Sequence, residues 1–201
     1  MSEPKRLVLA SSSRYRQALL AQLGVPFEAA APDYAEEHDL PLPPEALVLE
    51  LARKKAQCLR QRFPDAVIIG CDQVAALGDE LLFKPGTLER AETALSRLQG
   101  KTHRLLTGLV VLDAQTGRSA EALDVQQMAM RPLTRAQIAA YVALEAPLDC
   151  AGAYRVEGPG IALFEAMSGG DYTGIIGLPL TRLVGLLMEI APSTLPAFLK
   201  V

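Results

Sequence analysis

Leu7-Val8-Leu9-Ala10 is a continuous apolar run of strand length, and it breaks at once into Ser11-Ser12-Ser13. Beyond the serines, Leu19, Leu20 and Leu23 fall near one face of a helix that Gly24 ends. Val25 to Ala31 reads as a short extended segment, and Pro32 to Pro44 as an acidic, proline-rich loop with Asp33, Glu36, Glu37 and Asp39. Pro44 to Phe63 is predicted as a helix, because Leu47, Leu51, Lys55 and Leu59 recur at four-residue intervals on one stripe. Ala66 to Leu77 is the strongest strand. Its first half is apolar throughout, as in a central buried strand, and Asp72 and Gln73 interrupt it. Gly78-Asp79 is a turn signal, so Leu82-Phe83 is expected to return as a hairpin arm that ends at Lys84-Pro85-Gly86 and brings Lys84 close to Asp72.

Thr87 caps a predicted helix to Gln99, with Ala91, Ala94, Leu95 and Leu98 inward. His103 to Leu112 and Arg118 to Met130 read as strands joined by a turn at Asp113 to Gly117. Thr134-x-x-Gln137 is a capping box that opens a helix to Glu145, with Ile138, Tyr141, Val142 and Glu145 as its stripe. The last third is rich in glycine. Cys150 to Gly160 is a loop with Glu157 among its glycines, Ile161 to Met167 a strand, and Ser168 to Tyr172 a loop. Leu180, Leu183, Val184 and Leu187 mark a final amphipathic helix. No repeat or linker divides the chain, so residues 1–201 are expected to form a single domain, with room for two lobes.

Composition narrows the function. Half of the 201 residues are hydrophobic, enough for a sizeable core. A net charge of -3 gives no support for a stable nucleic-acid partner, so an anionic ligand needs a local basic pocket. No apolar run is long enough for a membrane span, and Met1 to Arg6 leads straight into the first strand with no room for a signal peptide. Cys58, Cys71 and Cys150 are odd in number and far apart, which argues against a disulfide framework or structural zinc and fits the cytoplasm; each is expected as a small buried apolar residue. With only His38 and His103 present, a bound metal is expected on oxygen ligands, as magnesium or manganese prefer.

Several positions carry candidate chemistry. A strand that runs through serines into a helix start suits an anion: the first helix amides lack internal partners, and Arg14 and Arg16 add donors, Arg16 in bidentate fashion. On spacing alone an ordinary serine cap with solvent-facing arginines explains the pattern as well. Lys55 on an apolar stripe either snorkels to water or points into a pocket towards an anion. Asp72 is the sharpest signal, since a charge inside a buried strand is expensive unless it is paired, hydrogen-bonded or metal-bound. Lys84 gains weight only if it faces Asp72. The acidic loop is either a solvated surface or a carboxylate source for a metal, and Glu157 is either an exposed acid or a ligand contact.

Taken together, Leu-Ala-Ser-x-Ser-x-x-Arg at 9–16, Pro32 to Glu36, Leu51-Ala52-x-x-Lys55-Ala56, Gly70-x-Asp72-Gln73-Val74, Lys84-Pro85, Thr107-Gly108, Ala151-Gly152-Ala153-Tyr154-x-x-Glu157-Gly158 and Ile176-Gly177-Leu178-Pro179 form an ordered set over nearly the whole chain. In that order they resemble the Maf family of nucleoside triphosphate pyrophosphatases. The resemblance implies an α/β fold: a long, twisted mixed sheet flanked by helices, in two lobes with a central cleft, as in the related inosine triphosphate pyrophosphatases. It implies metal-dependent hydrolysis between the α and β phosphates, to a nucleoside monophosphate and diphosphate. Ser11, Arg16, Glu36, Lys55, Asp72 and Lys84 match the family's catalytic set, with Ser11, Ser13 and Arg16 on the phosphates. Asp72 and Glu36 are the candidate ligands of magnesium or manganese. A carboxylate bound tightly to metal is a poor base, and the resemblance favours Asp72 as the proton acceptor. A homodimer is implied by the resemblance alone.

Three positions track the family's branches. Members acting on dTTP and UTP resemble an Arg, Thr, Gln set at the places held here by Tyr15, Gln73 and Glu157, and this chain departs at all three. It is similar instead to the branch acting on 7-methyl-GTP. The chemistry agrees: a carboxylate accepts the two adjacent N–H donors of guanine, glutamine satisfies donor and acceptor together, and N7 methylation makes the base cationic, so that stacking on Tyr15 gains roughly 0.5–2 kcal/mol. The rivals are a pyrophosphatase of another base preference, dTTP or UTP, and a nucleotide-binding regulator of cell division that does not turn over.

Overall fold

A computed structural model describes residues 5–34 and 40–199. The chain folds as α/β, with a mixed seven-stranded sheet in the order β2-β1-β3-β5-β6-β7 and β4 paired to β3. The strands are β1 (Leu7–Ala10), β2 (Glu28–Ala30), β3 (Val67–Leu77), β4 (Glu80–Leu82), β5 (Thr102–Asp113), β6 (Ser119–Met130) and β7 (Phe164–Ser168). The helices are α1 (Arg14–Ala21), α2 (Pro44–Cys58), α3 (Leu88–Leu98), α4 (Arg135–Glu145), α5 (Tyr172–Ile176) and α6 (Leu180–Ile190). The chain divides into two compact units: one of Met1–Asp72, Thr107–Asp124 and Asp171–Val201, the other of Gln73–Leu106 and Val125–Gly170. No helix among the described residues is long and apolar enough to cross a membrane.

In the first unit β1 pairs in parallel with both β2 and β3, and Leu7 to Ala10 stand beside Val67 to Gly70. The period-two alternation of strands sorts the side chains between two cores. Leu7, Leu9, Ile69 and Cys71 pack with Leu20 of α1 and Leu183 and Leu187 of α6; Val8, Ala10 and Ile68 pack with Ala52 and Ala56 of α2. Two glycines let α2 approach: a Cβ on Gly70 would lie 2.1 Å from the Ala52 carbonyl oxygen, and one on Gly108 would lie 2.2 Å from that of Val48.

In the second unit β4 returns antiparallel on β3, with Ala75 opposite Leu82 and Leu77 opposite Glu80, and β7 pairs antiparallel with β6. The predicted inward residues of α3, Ala91, Ala94, Leu95 and Leu98, are all buried. The Thr134–Gln137 capping box forms in both directions and opens α4. Tyr154 meets both His103 and Phe164 edge to face, with Tyr154 and Phe164 centroids 4.8 Å apart, and His103 lies tilted against Phe164.

Three boundaries and the burial of two cysteines differ most from expectation. Helix α2 stops at Cys58, not Phe63; the chain goes on in turns to Phe63, which is buried in the core with its N–H on the Leu59 carbonyl, and Pro64 keeps helix from running on past it. Ile161 to Leu163 belong to a 3-10 turn opened by Pro159, and the strand begins only at Phe164. Tyr172 opens the short helix α5, capped by Asp171, where a loop is expected. Of the cysteines only Cys71 is buried; Cys58 and Cys150 are half-buried, and none of the three is in a disulfide.

Candidate active site

Strand order 2-1-3 with parallel pairing makes the gap between β1 and β3 a point where successive connections leave in opposite directions, α1 covering one face and α2 the other. Such switch points, at the carboxyl ends of the strands, are where open α/β sheets bind ligands. Ser11 follows the last residue of β1, and Asp72 lies two residues beyond Gly70, the partner of Ala10. The sequence reading singled out both without seeing this switch, whose signal was the alternation of strand and helix over the first 77 residues.

Strand parity and the Gly70 contact explain the pair at its centre. Ile68, Gly70 and Asp72 face α2, and the close approach at Ala52 brings Lys55, one turn further along, over Asp72. Lys55 Nζ donates to Asp72 Oδ1 at 2.5 Å, with both side chains 6% exposed. The lysine therefore points inward to an anion and does not snorkel. Asp72 Oδ2 is buried and has no hydrogen-bond partner among the described residues. That orphaned oxygen suits either a proton or a hard cation. No group of three or more His, Cys, Asp or Glu stands together among the described residues, and Glu36, the second expected carboxylate, lies outside them.

The serine turn is both a cap and more than a cap. Ser13 Oγ accepts the Arg16 N–H as the N-cap of α1, and the buried Ser11 Oγ accepts the Ser13 N–H at 3.1 Å. The hydroxyls thus hold the turn that presents the first amides of α1. Arg14 is exposed, as an ordinary cap would leave it, but Arg16 is half-buried and its Nε donates to the Gly177 carbonyl at 2.9 Å. Cys71, on the opposite strand face from Asp72, donates its thiol to the same carbonyl at 3.2 Å. Burial pushes the Cys71 thiol up from its ordinary value, and Arg16 beside it pulls the other way. The roles of Cys71 and Gly177 escaped sequence reading. Tyr15 is half-buried, and its ring carries the Arg14 guanidinium 4.8 Å from its centroid.

The remaining candidates belong to the second unit. Gln73 continues β3 directly after Asp72 and is half-buried. Lys84 lies two residues beyond Leu82, where the hairpin ladder ends; it is exposed and lines a groove of about 530 Å³ with Phe83, Thr87, Arg90 and Arg97. Glu157 is exposed, but the chain before it is pinned to α4. The Tyr141 hydroxyl accepts the Arg155 N–H at 3.1 Å, and Arg155 pairs with Glu145. Only glycine fits at 160, where a Cβ would stand 2.3 Å from the Arg155 carbonyl oxygen.

Relatives place this arrangement in a lineage. A protein from Syntrophotalea carbinolica named 7-methyl-GTP pyrophosphatase is 46% identical over 184 residues, 91% of this chain and 93% of its own. Proteins of the same name from Pseudomonas putida and Pseudomonas aeruginosa are 47% and 44% identical, each over 183 residues, 91% of this chain and 95% of theirs. Among solved structures, the Ham1 protein of Staphylococcus aureus superposes with a TM-score of 0.45 at 14% identity, over 63% of this chain and 72% of that one. The sequence profile of the Maf-like proteins matches residues 6–190, from the strand that leads into the serine turn to the end of α6, and the chain belongs to the Maf family.

Proposed function

We propose that the protein hydrolyses a nucleoside triphosphate to the monophosphate and diphosphate, and that 7-methyl-GTP is its preferred substrate. The observation that carries this reading is the buried Lys55–Asp72 pair with Asp72 Oδ2 left over, beside the serine turn at the switch point. Water attacks phosphorus, the bond to the bridging oxygen between the α and β phosphates breaks, and the proton of the water passes to Asp72. Lys55 holds Asp72 by its other oxygen and lowers the cost of negative charge in a buried site. Ser11, Ser13, the first amides of α1 and Arg16 bind the phosphates, and Lys84 adds positive charge to the leaving diphosphate. A divalent cation, magnesium or manganese, would be held by Glu36, and by Asp72 Oδ2 only at the expense of its part as proton acceptor, and would supply charge neutralisation on the phosphates.

The named relatives support the base preference, and Tyr15, Gln73 and Glu157 fit it chemically. The Arg14 guanidinium stands 4.8 Å from the Tyr15 ring centroid, so a methylated, positively charged base would stack on the opposite face of that ring. The test is pyrophosphate release with magnesium or manganese across 7-methyl-GTP, GTP, dTTP, UTP, CTP and ITP. Preference for 7-methyl-GTP is expected. Preference for dTTP or UTP overturns the base assignment and keeps the chemistry; no release from any nucleotide by folded protein overturns both in favour of a nucleotide-binding regulator.

A further inference from the structure

We propose that the backbone carbonyl of Gly177 is a positioning group that aims Arg16 at the substrate phosphates, with the Cys71 thiol as its second donor; this rests on the reading of Arg16 as a phosphate ligand. A carbonyl oxygen has two lone pairs, and here Arg16 Nε takes one at 2.9 Å and Cys71 Sγ the other at 3.2 Å. The carbonyl is itself fixed. Gly177 ends α5 at φ +126, a conformation that L side chains rarely adopt, and the N–H groups of Gly177 and Leu178 both reach the Thr173 carbonyl, at 3.0 and 3.1 Å. Asp171 holds both ends of this turn: Oδ1 accepts the Thr173 N–H at the start of α5, and Oδ2 the Thr181 N–H at the start of α6. Those bonds keep the Asp171 carboxyl below its ordinary value, against a burial that pushes the other way.

Guanidinium presents five N–H donors in a rigid fork. With Nε on Gly177, the Nη1–Nη2 edge is the one left for a bidentate grip, so Arg16 meets phosphate end-on, and its side chain is ordered before the ligand arrives. A lysine at this position would keep the charge and lose both the brace and the fork. The sequence hides this: Cys71 and Gly177 are 106 residues apart, and Arg16 and Gly177 161.

The experiment is calorimetric binding of inorganic tripolyphosphate, with steady-state hydrolysis in parallel, for the wild type, Arg16→Ala, Gly177→Ala and the double variant. Gly177→Ala is expected to weaken tripolyphosphate about tenfold when Arg16 is present and to stay within about twofold of the Arg16→Ala parent when it is absent, with KM rising more than kcat falls. Cys71→Ala, which removes a donor, is expected to weaken binding about threefold and Cys71→Ser, which keeps one, to rescue it; this pair decides the matter if Gly177→Ala does not fold. Equal fold-losses in both Arg16 backgrounds mean a merely structural role and overturn the proposal. Unchanged tripolyphosphate binding in Arg16→Ala overturns both the ligand reading and the positioning. Absent hydrolysis with the coupled binding intact overturns the enzymatic reading alone and supports the positioning.

Discussion

In the first unit the residues assigned to phosphate chemistry are held by the core: Asp72 and Lys55 are buried against each other between β3 and α2, and Arg16 is braced from the turn between α5 and α6. In the second unit Glu157, one of the three residues proposed for the base, is exposed, and the chain before it is tied to α4 by the Arg155 N–H on the Tyr141 hydroxyl and the Arg155 side chain on Glu145. The contrast is between a buried charged pair and an exposed acceptor; on the proposed reading Tyr15, also for the base, lies in the first unit and the exposed Lys84, for the diphosphate, in the second. On that reading Asp72 and Lys55 work in a dry, low-dielectric place that the sheet supplies. Glu157 stands on a pinned loop, where a substitution does not disturb the core. Substitutions on the two sides should therefore fail differently.

The largest expected effect is on turnover. Asp72→Asn keeps a similar shape and a bond to Lys55 but takes away the proton acceptor, and pyrophosphate release should fall about 10³-fold while the fold survives; near-normal release would remove Asp72 from the mechanism. Next comes stability. Lys55→Met leaves a buried carboxylate with neither oxygen paired to its cation, and should cost about 3–5 kcal/mol in urea unfolding. A loss below about 1 kcal/mol would mean that the pair is not part of the core.

The second unit has its own buried polar group, to which no catalytic role is assigned. His103 is 1% exposed; its Nε2 shares a hydrogen bond of 2.8 Å with the Tyr154 hydroxyl, and its Nδ1 has no partner among the described residues. Burial lowers its pKa from 6.5 to about 4. Between those values the unfolded chain binds a proton that the folded chain refuses. The contribution is whole above about 6.5, falls with pH through the window, and is gone below about 4, roughly 3 kcal/mol in total. Urea midpoints from pH 7 to pH 4 should therefore drop more steeply for the wild type than for His103→Leu. Parallel profiles would contradict the burial of a neutral imidazole.

A smaller effect tests the other side of the comparison. Glu157→Ala should change stability by no more than about 0.5 kcal/mol, because the residue is exposed. It should cut the preference for 7-methyl-GTP over dTTP about tenfold. An unchanged nucleotide profile would sink the base contact, and a large loss of stability would erase the contrast between the two units.

How far the sequence could see follows the same division. Spacing leaves Lys55 between water and a pocket, and its pairing with Asp72 emerges only where α2 closes on Gly70. Both residues still stand out, because strand and helix periodicities make a charge on an apolar stripe conspicuous. Most elements were legible for that reason, including the α4 capping box. The short helix α5 has five residues and too little period to declare itself, and the turn at Pro159 is set by the tight fit of Gly160 against Arg155, which no local pattern records. Gly177 was visible as part of a motif but not as a partner of Arg16, because that contact exists only once α5 docks. The return of Lys84 to Asp72 was drawn by extending the hairpin, but the ladder ends at Ala75–Leu82, before it reaches either residue.

The smallest effect comes from backbone strain, which the units also handle differently. Both units place glycines at positive φ, Gly177 at the end of α5 and Gly152 in the second unit among them, but the non-glycine residues at positive φ among the described residues, Ala146 at φ 43 and Ala153 at φ 62, both lie in the second unit. Left-handed backbone costs a residue with a Cβ about 1–2 kcal/mol, from which the extra freedom of glycine in the unfolded chain takes back up to about 1. Ala146 is exposed, so Ala146→Gly should leave a gain of up to about 1 kcal/mol. Ala153 is fully buried, and losing its methyl costs a further 0.8 kcal/mol or so, which cancels the gain. Urea unfolding of the two variants should therefore show Ala146→Gly above the wild type and Ala153→Gly level with it or below. The reverse order would mean that the strain at Ala153 exceeds the packing of its methyl, and that this loop, unlike the braced turn at Gly177, is held in place against its own backbone preference.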